Sequence, residues 1–183
     1  MKDKSLVQIA LYAALLAALG FIPPVPFAFG VPITAQTLGV MLAGIMLGPW
    51  RGALSMLLFV FVVTLGAPLL SGGRGGLGVL AGPSVGFFLA WPIAAMVTGL
   101  VAQRLRHMSL IPATAIGCMV GGIIVQYIGG IVGFKLITGT EWLASFLTML
   151  VFIPGDLIKV AITCAVAHAV YKGMPQAVAT RTA

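Results

Sequence analysis

Long apolar stretches alternate along this chain with short clusters of proline, glycine and charged residues. A membrane-spanning helix needs about 20 mostly apolar residues, and several of the stretches reach that length. The pattern predicts six helices, at about residues 6–22, 33–47, 52–65, 84–103, 111–137 and 142–171. The second and third are short for a bilayer and are expected to form a helical hairpin. The last exceeds one bilayer thickness, so a tilt or a kink at Pro154 is expected to absorb the excess.

Two connections stand out by composition. Residues 23–32 contain Pro23, Pro24, Pro26 and Pro32, which prevent a helix, and the aromatic residues Phe27 and Phe29 keep this loop apolar.

Residues 66–82 are rich in glycine and contain Arg74, which is either a solvated charge or a partner for an anionic ligand. The sequence G-x-G-x-x-G occurs at 73–78, but a dinucleotide site would also need a preceding strand and a following acidic residue. The acidic residue is missing, because no Asp or Glu lies between Asp3 and Glu141.

Composition places the chain among integral membrane proteins. Hydrophobic residues make up 61% of it, and ten Lys and Arg residues face only three Asp and Glu residues. We predict an all-α membrane protein with a single integral membrane domain over residues 1–183. The cations are spread along the chain without a basic run, which argues against a nucleic-acid partner. Cys118 and Cys164 stand singly, without the spacing of a metal site or a disulfide framework.

The distribution of cations predicts the orientation in the membrane. Loops on the cytoplasmic side carry an excess of Lys and Arg. With six spans, most cations fall on the side shared by both termini, namely Lys2, Lys4, Arg51, Arg104, Arg106, Lys172 and Arg181. Both termini are therefore predicted to be cytoplasmic, and the Pro-rich and Gly-rich loops are predicted to face outward.

Asp156 and Lys159 are the charges that most need an explanation. Each costs about 2.5 to 3.5 kcal/mol at the centre of a membrane helix, by insertion scales. Residues three apart share one helix face, so the two side chains can partly neutralise each other. Pro154 and Gly155 loosen the turn before them. We predict a polar site that faces the bundle interior and opens outward.

Other polar and small residues give less specific signals. Thr34 is a plausible N-cap of the second helix. Gln36 needs partners for its amide, which an interhelical hydrogen bond or a ligand could supply equally well. Ala10, Ala14 and Ala18 recur every fourth residue and give the first helix one small-residue face, suited either to internal packing or to a separate membrane subunit.

Taken together, these motifs resemble the BioY family, the biotin-specific substrate-binding (S) subunits of energy-coupling-factor transporters. The resemblance covers most of the chain. It rests on Pro32-Ile33-Thr34-Ala35-Gln36-Thr37, Leu42-Ala43-Gly44, Leu47-Gly48-Pro49, Leu80-Ala81-Gly82-Pro83 and Gly155-Asp156-Leu157-Ile158-Lys159.

The resemblance implies a six-helix S-component bundle that binds biotin near the outer face, without enzymatic activity. It implies that Asp156 and Lys159 make the main polar contacts, with Gln36, Thr34 and the loop from Ser71 to Arg74 around the ligand and Phe87 as an apolar wall. It also implies that the face of Ala10, Ala14 and Ala18 contacts a transmembrane coupling subunit driven by two ATPase subunits.

The chain departs from the family pattern at two places. Gly-Pro-Thr-Gly-Gly-Tyr is here Gly82-Pro83-Ser84-Val85-Gly86-Phe87, and Pro-Val-Phe is here Pro68-Leu69-Leu70. The chain also contains no Asn, so Ser71 is a candidate replacement for any amide contact. An alternative function is a self-sufficient secondary transporter, oligomeric or proton-coupled, in which the Asp156–Lys159 pair breaks during the cycle.

Overall fold

The computed structural model describes residues 2–26 and 30–182. Within them the regular elements are helices. The helices are α1 (Lys2–Gly20), α2 (Gln36–Leu47), α3 (Pro49–Thr64), α4 (Val85–Arg104), α5 (Leu110–Gly117), a π-helical segment (Cys118–Val125), α6 (Gln126–Thr138), α7 (Trp142–Leu150), α8 (Ile153–Gly173) and α9 (Ala179–Thr182). Short 3₁₀ turns lie at Leu77–Ala81 and Pro175–Ala177.

Four helical stretches are long and apolar enough to cross a membrane. They are Asp3–Gly20, Val85–Arg104, Leu110–Thr138 and Ile153–Gly173. The third comprises α5, the π segment and α6 in one continuous run of 29 residues. The second and third helices are shorter apolar elements, as the sequence indicated.

α4 lies at the centre of the bundle, in contact with α2, α3, α5, the π segment and α6. Close approach of the backbones requires glycine. A Cβ on Gly121 would overlap Thr98 of α4, and a Cβ on Gly133 would overlap the backbone of Gly86. Glycines of the long run from Leu110 to Thr138 therefore form a packing face against α4.

The start of α2 differs from the prediction. Ile33 pairs with Val25 through two backbone hydrogen bonds of 3.0 Å, so residues 31–34 are held in an extended path instead of a helix. The helix begins at Gln36 with Ala35 as its N-cap and no side-chain cap. The prediction that Thr34 caps this helix was wrong.

The predicted last helix is two helices. α7 ends at Leu150, and α8 begins at Ile153 with Pro154 in its first turn. Proline has no N–H to donate and its ring collides with the preceding turn, whereas it fits well at the start of a helix. The expected kink at Pro154 is therefore a break just before it.

The C-terminal segment folds back against the end of the bundle. Val178 is fully buried, and the Thr180 hydroxyl donates to the carbonyl of Ile45 at 3.0 Å. Nη1 of Arg181 donates to the carbonyls of Arg106 at 2.8 Å and Met108 at 2.7 Å. These contacts place the end of the chain beside the ends of α2 and α4.

Candidate functional site

A pocket lies among the start of α2, the first half of α4, the junction of the π segment with α6, and the start of α8. Its cavity volume of about 60 Å³ is several times the ~10–15 Å³ that one buried water needs, so it has room for more than a single water. Its lining consists of Val31, Pro32, Ile33, Thr34, Gln36, Thr37, Leu70, Arg74, Ser84, Phe87, Phe88, Trp91, Gln126, Phe152, Asp156 and Lys159.

Asp156 and Lys159 form an ion pair in the wall of this pocket. Nζ of Lys159 donates to Oδ1 of Asp156 at 2.8 Å, and the Asp156 residue is only 4% exposed. Asp156 sits in the first turn of α8, where the positive end of the helix dipole favours a carboxylate. Both side chains line the cavity.

Two hydroxyl groups complete this polar cluster. Tyr127 of α6 donates to Oδ2 of Asp156 at 2.6 Å. Thr37 of α2 accepts from Nζ of Lys159 at 2.7 Å and donates to Oδ1 of Asp156 at 3.4 Å. The cluster thus joins three helices. The sequence analysis singled out neither Tyr127 nor Thr37 as a site residue, although a polar side chain within an apolar segment was the available signal.

The hydrogen-bonding capacity that remains in the cluster comes mainly from the ammonium group. An ammonium has three donors, and Asp156 and Thr37 take two of those of Lys159. The carboxylate of Asp156 already accepts from Lys159, Thr37 and Tyr127. The cluster can offer a ligand one charge-assisted donor while its net charge stays close to zero.

Gln36 lines the pocket, but its amide serves the protein itself. Nε2 donates to the carbonyls of Leu16 at 3.2 Å and Leu69 at 3.0 Å. Oε1 accepts from the backbone N–H of Ser71 at 3.1 Å and from its hydroxyl at 3.3 Å. Gln36 thereby ties the end of α1 and the Gly-rich loop to the start of α2.

The Gly-rich loop brings Arg74 to the pocket. Leu70 and Arg74 pair across a tight turn in which Gly72 and Gly73 have φ of 81° and 70°, a left-handed conformation that suits glycine. Nε of Arg74 donates to the Ser71 carbonyl at 3.2 Å. Nη1 donates to the hydroxyl of Ser84 at 3.3 Å. Ser71 itself is buried behind the turn and does not line the cavity.

Aromatic rings form the apolar wall. Phe87 lies edge-on to Tyr127 at 6.0 Å and to Phe152 at 6.3 Å, measured between ring centroids. Gly130 makes room for this arrangement, because a Cβ there would overlap the Phe87 ring. Of the predicted lining residues, Phe87 and Thr34 both line the pocket. Phe27 and Phe29 of the Pro-rich loop lie outside the described residues.

The small-residue face of α1 points away from the bundle. Ala10, Ala14 and Ala18 are all exposed, whereas Ala13 and Leu16 on the opposite side are buried. The helix packs on α3 and α2 through that buried side. The alanine face is therefore unused by the described part of the chain, and packing inside the protein does not explain it.

Comparison with known proteins is consistent across sequence and structure. A profile of the BioY family matches residues 1–176. The biotin transporter BioY of Rhodobacter capsulatus is 47% identical over 189 residues, which cover 98% of this chain and 99% of the relative. The probable biotin transporter BioY of Bacillus subtilis is 45% identical over 164 residues, which cover 89% of this chain and 88% of that protein.

The fold is also similar to a solved structure. The S-component for biotin from an ECF-type ABC transporter superposes with a TM-score of 0.87, at 33% sequence identity, over 93% of this chain and 92% of that one. The matches extend over nearly the whole chain, include its helical fold and agree in family. The chain belongs to the BioY family.

Proposed function

We propose that this chain is a high-affinity biotin-binding subunit of a vitamin uptake transporter, energised by separate coupling and ATPase subunits. It is a single integral domain of the cell membrane, over residues 1–183, without enzymatic activity of its own. Family membership supports biotin as the ligand. The observation that carries the proposal is the buried Asp156–Lys159 pair in the wall of an aromatic-lined pocket.

The pocket matches the chemistry of biotin part by part. The thioether ring and alkyl chain suit the wall formed by Phe87 and Phe152. The valerate carboxylate suits a cation, and both Lys159 and Arg74 line the cavity. The ureido group has one carbonyl acceptor and two N–H donors, which need polar partners in the same space. The hydrogen bond between Gln36 and Ser71 holds the loop that carries Arg74, and Thr34 lines the pocket.

The chain crosses the membrane six times with both termini in the cytoplasm. Four helices have the length of a span, and the short helices α2 and α3 supply the other two crossings. Contacts at one end of the bundle support the placement of these cations on the same side of the membrane. Nη1 of Arg51 donates to the side chain of Gln8, near the N-terminus, at 2.9 Å. Arg181, near the C-terminus, donates to backbone carbonyls of the loop after α4. Positive charge collected at one end favours a cytoplasmic location.

Energy for transport comes from partner proteins. A transmembrane coupling subunit contacts the exposed face of Ala10, Ala14 and Ala18, and two ATPase subunits drive it. Small side chains let another helix approach closely in a bilayer, where association depends on packing. The exposure of all three alanines supports this surface.

The test is calorimetric titration of the purified chain with biotin, together with the variant Asp156→Asn. We expect one biotin per chain for the wild type and an affinity at least about tenfold weaker for D156N. The reason is that the ammonium of Lys159 loses its counter-ion and the Tyr127 hydroxyl loses a charged acceptor, which misplaces the donors around the ligand.

The matched control is Asp3→Asn, the same change at an exposed acid near the N-terminus. D3N should bind biotin as the wild type does. Absence of biotin binding by the wild type would refute the proposed ligand. Equal affinity in D156N and wild type would remove the ion pair from the site.

A further inference from the structure

Residues 174–182, here called the strap, lie across the end of the bundle opposite the pocket. The strap follows α8 and consists of the 3₁₀ turn Pro175–Ala177 and the short helix α9. It contacts the ends of α2 and α4, whereas the pocket is lined by the starts of α2, α4 and α8. At 1.5 Å per residue, the length of α2 separates the two by about 18 Å.

The strap satisfies a backbone group that α2 leaves without a partner. In an α-helix the carbonyl of one residue accepts from the N–H four residues later. For Ile45 that later residue is Pro49, which has no N–H. The Thr180 hydroxyl donates to the Ile45 carbonyl instead, at 3.0 Å, and both residues are buried. This hydrogen bond is the first anchor of the strap.

A cation provides the second anchor. Nη1 of Arg181 donates to the carbonyls of Arg106 at 2.8 Å and Met108 at 2.7 Å. Both carbonyls lie just beyond the end of α4, where the negative end of the helix dipole favours a cation. The strap therefore bridges the ends of α2 and α4.

A cluster of apolar side chains lies between the strap and the pocket. Val178 of the strap is fully buried in this cluster, together with Met41 and Ile45 of α2. Met41 and Ile45 follow Thr37 at intervals of four residues, so the three residues share one face of α2. Thr37 is bonded to Lys159 in the pocket wall. This face of α2 therefore runs from the pocket to the strap.

The same cluster contains both cysteines of the chain. Cys118 is fully buried, Cys164 is 8% exposed, and both are free thiols. Cys164 lies about 14 Å along α8 from Gly173, where that helix ends and the strap follows. Water that entered the bundle from the strap end would reach these thiols, so their reactivity reports on that end.

We propose that the strap is a seal that closes this end of the bundle and leaves the pocket with an opening on the opposite side only. Thr180 and Arg181 hold the seal in place, and Val178 completes the apolar cluster beneath the pocket. The inference goes beyond the proposed function and does not depend on which ligand the pocket takes. A pocket open at both ends would be a leak across the membrane, which such a seal prevents.

The experiment measures the rate at which a water-soluble maleimide labels Cys118 and Cys164 in the purified chain, by mass spectrometry. The double variant Thr180→Val, Arg181→Met removes both anchors and releases the strap. We expect T180V/R181M to be labelled at least about tenfold faster than wild type. The reason is that a thiol reacts as the thiolate, which does not form in apolar surroundings without water.

The matched control is the double variant Lys172→Met, Thr182→Val. It also removes one cation and one hydroxyl in this part of the chain, but both residues are exposed and make no hydrogen bond to another described residue. K172M/T182V should be labelled at the wild-type rate. Equal acceleration in the two double variants would overturn the proposal, because the anchors would then have no special role.

A second variant decides the matter if T180V/R181M does not fold. Val178→Ala keeps both anchors and removes only apolar volume from the cluster. V178A should be labelled at least about twofold faster than wild type, because a cavity at a fully buried position weakens the packing around it. Labelling of V178A at the wild-type rate would overturn the seal.

Biotin titration of the same variants separates a local seal from general support of the fold. The pocket lies at the other end of α2, so the affinities of T180V/R181M and V178A should stay within about twofold of wild type. A fall in affinity as large as the rise in labelling rate would overturn the proposal, since the strap would then support the whole bundle. Wild type that does not bind biotin would refute the proposed function, and the labelling rates would still decide whether the strap is a seal.

Discussion

At the scale of single residues, the site depends on polar groups that hold one another in place. Asp156 is saturated by Lys159, Thr37 and Tyr127, so its carboxylate acts chiefly as an organiser of donors. A buried charge left alone would be strongly destabilising, whereas a paired and hydrogen-bonded one is tolerated. The Asp156–Lys159 pair is therefore tolerated in an apolar bundle only as part of this hydrogen-bonded cluster.

Replacement of Gln36 has a predicted effect on stability that follows directly from its hydrogen bonds. Gln36→Leu keeps the volume of the side chain but leaves the carbonyls of Leu16 and Leu69 and the N–H of Ser71 without their partners. We expect a loss of about 2 kcal/mol or more in the free energy of unfolding, because each buried group left unpaired costs about 1 to 3 kcal/mol. Denaturant unfolding in detergent would measure it.

The control for this prediction is Gln103→Leu. The Gln103 side chain, near the end of α4, makes no hydrogen bond to another described residue, so its replacement should change stability by less than about 0.5 kcal/mol. Similar losses of stability in both variants would mean that the hydrogen bonds of Gln36 do not hold the Gly-rich loop to the bundle.

The residues of the site were predictable to different degrees. Asp156 and Lys159 could be identified from the sequence because charge is expensive in an apolar segment. Trp91, which also lines the pocket, could not, because an indole in an apolar segment gives no such signal. Gln36 could be identified as a polar residue in need of partners, but those partners lie 20 and 33 residues away and only folding brings them near.

At the scale of elements, the apolar pattern predicted where helices occur, whereas local backbone geometry determines where each helix begins and ends. The predicted helix at 142–171 is divided because Pro154 starts α8. The predicted start of α2 moved to Gln36 because Ile33 pairs with Val25. The π segment had no sequence signal, since its bonding differs from that of an α-helix only by one residue.

The prediction at this scale concerns the exposed alanine face of α1 and its role in subunit assembly. Ala14→Trp adds bulk to that face, which should block approach of a coupling subunit and leave biotin affinity unchanged. Co-purification of the subunits from cells that express all of them, followed by biotin titration of the isolated chain, measures both effects. Assembly should fall at least about tenfold.

Ala165→Trp is the matched control, since Ala165 is also exposed on a spanning helix, α8. It should assemble normally. If A14W assembled as well as A165W did, the alanine face would not be the docking surface. If A14W alone failed to fold, the face would be needed for the fold of the chain itself.

At the scale of the whole molecule, the two modes of transport predict different behaviour. A binding subunit that depends on ATPases should take up biotin into liposomes slowly or not at all when reconstituted alone. Reconstitution with the coupling and ATPase subunits and internal ATP should give rapid uptake of labelled biotin. The reason is that nothing in the Asp156–Lys159 cluster, closed by Thr37 and Tyr127, supplies energy for release.

Protein-free liposomes and liposomes with the D156N chain are the controls for leakage and for specific uptake. Rapid uptake by the chain alone, driven by a pH gradient, would contradict this prediction. It would favour the proton-coupled secondary transporter, in which the ion pair opens during the cycle.

The sequence by itself determined the membrane class, the approximate places of the helices and the two charges at the centre of the site, because apolar length and buried charge act locally and at high cost. Only the tertiary structure decided which polar groups satisfy one another and which remain free. Thr37, Trp91, Gln126 and Asp156 come from four separate stretches of the chain and share one pocket. Hydrogen bonds depend on distance and direction in space, and these are set by how the helices cross.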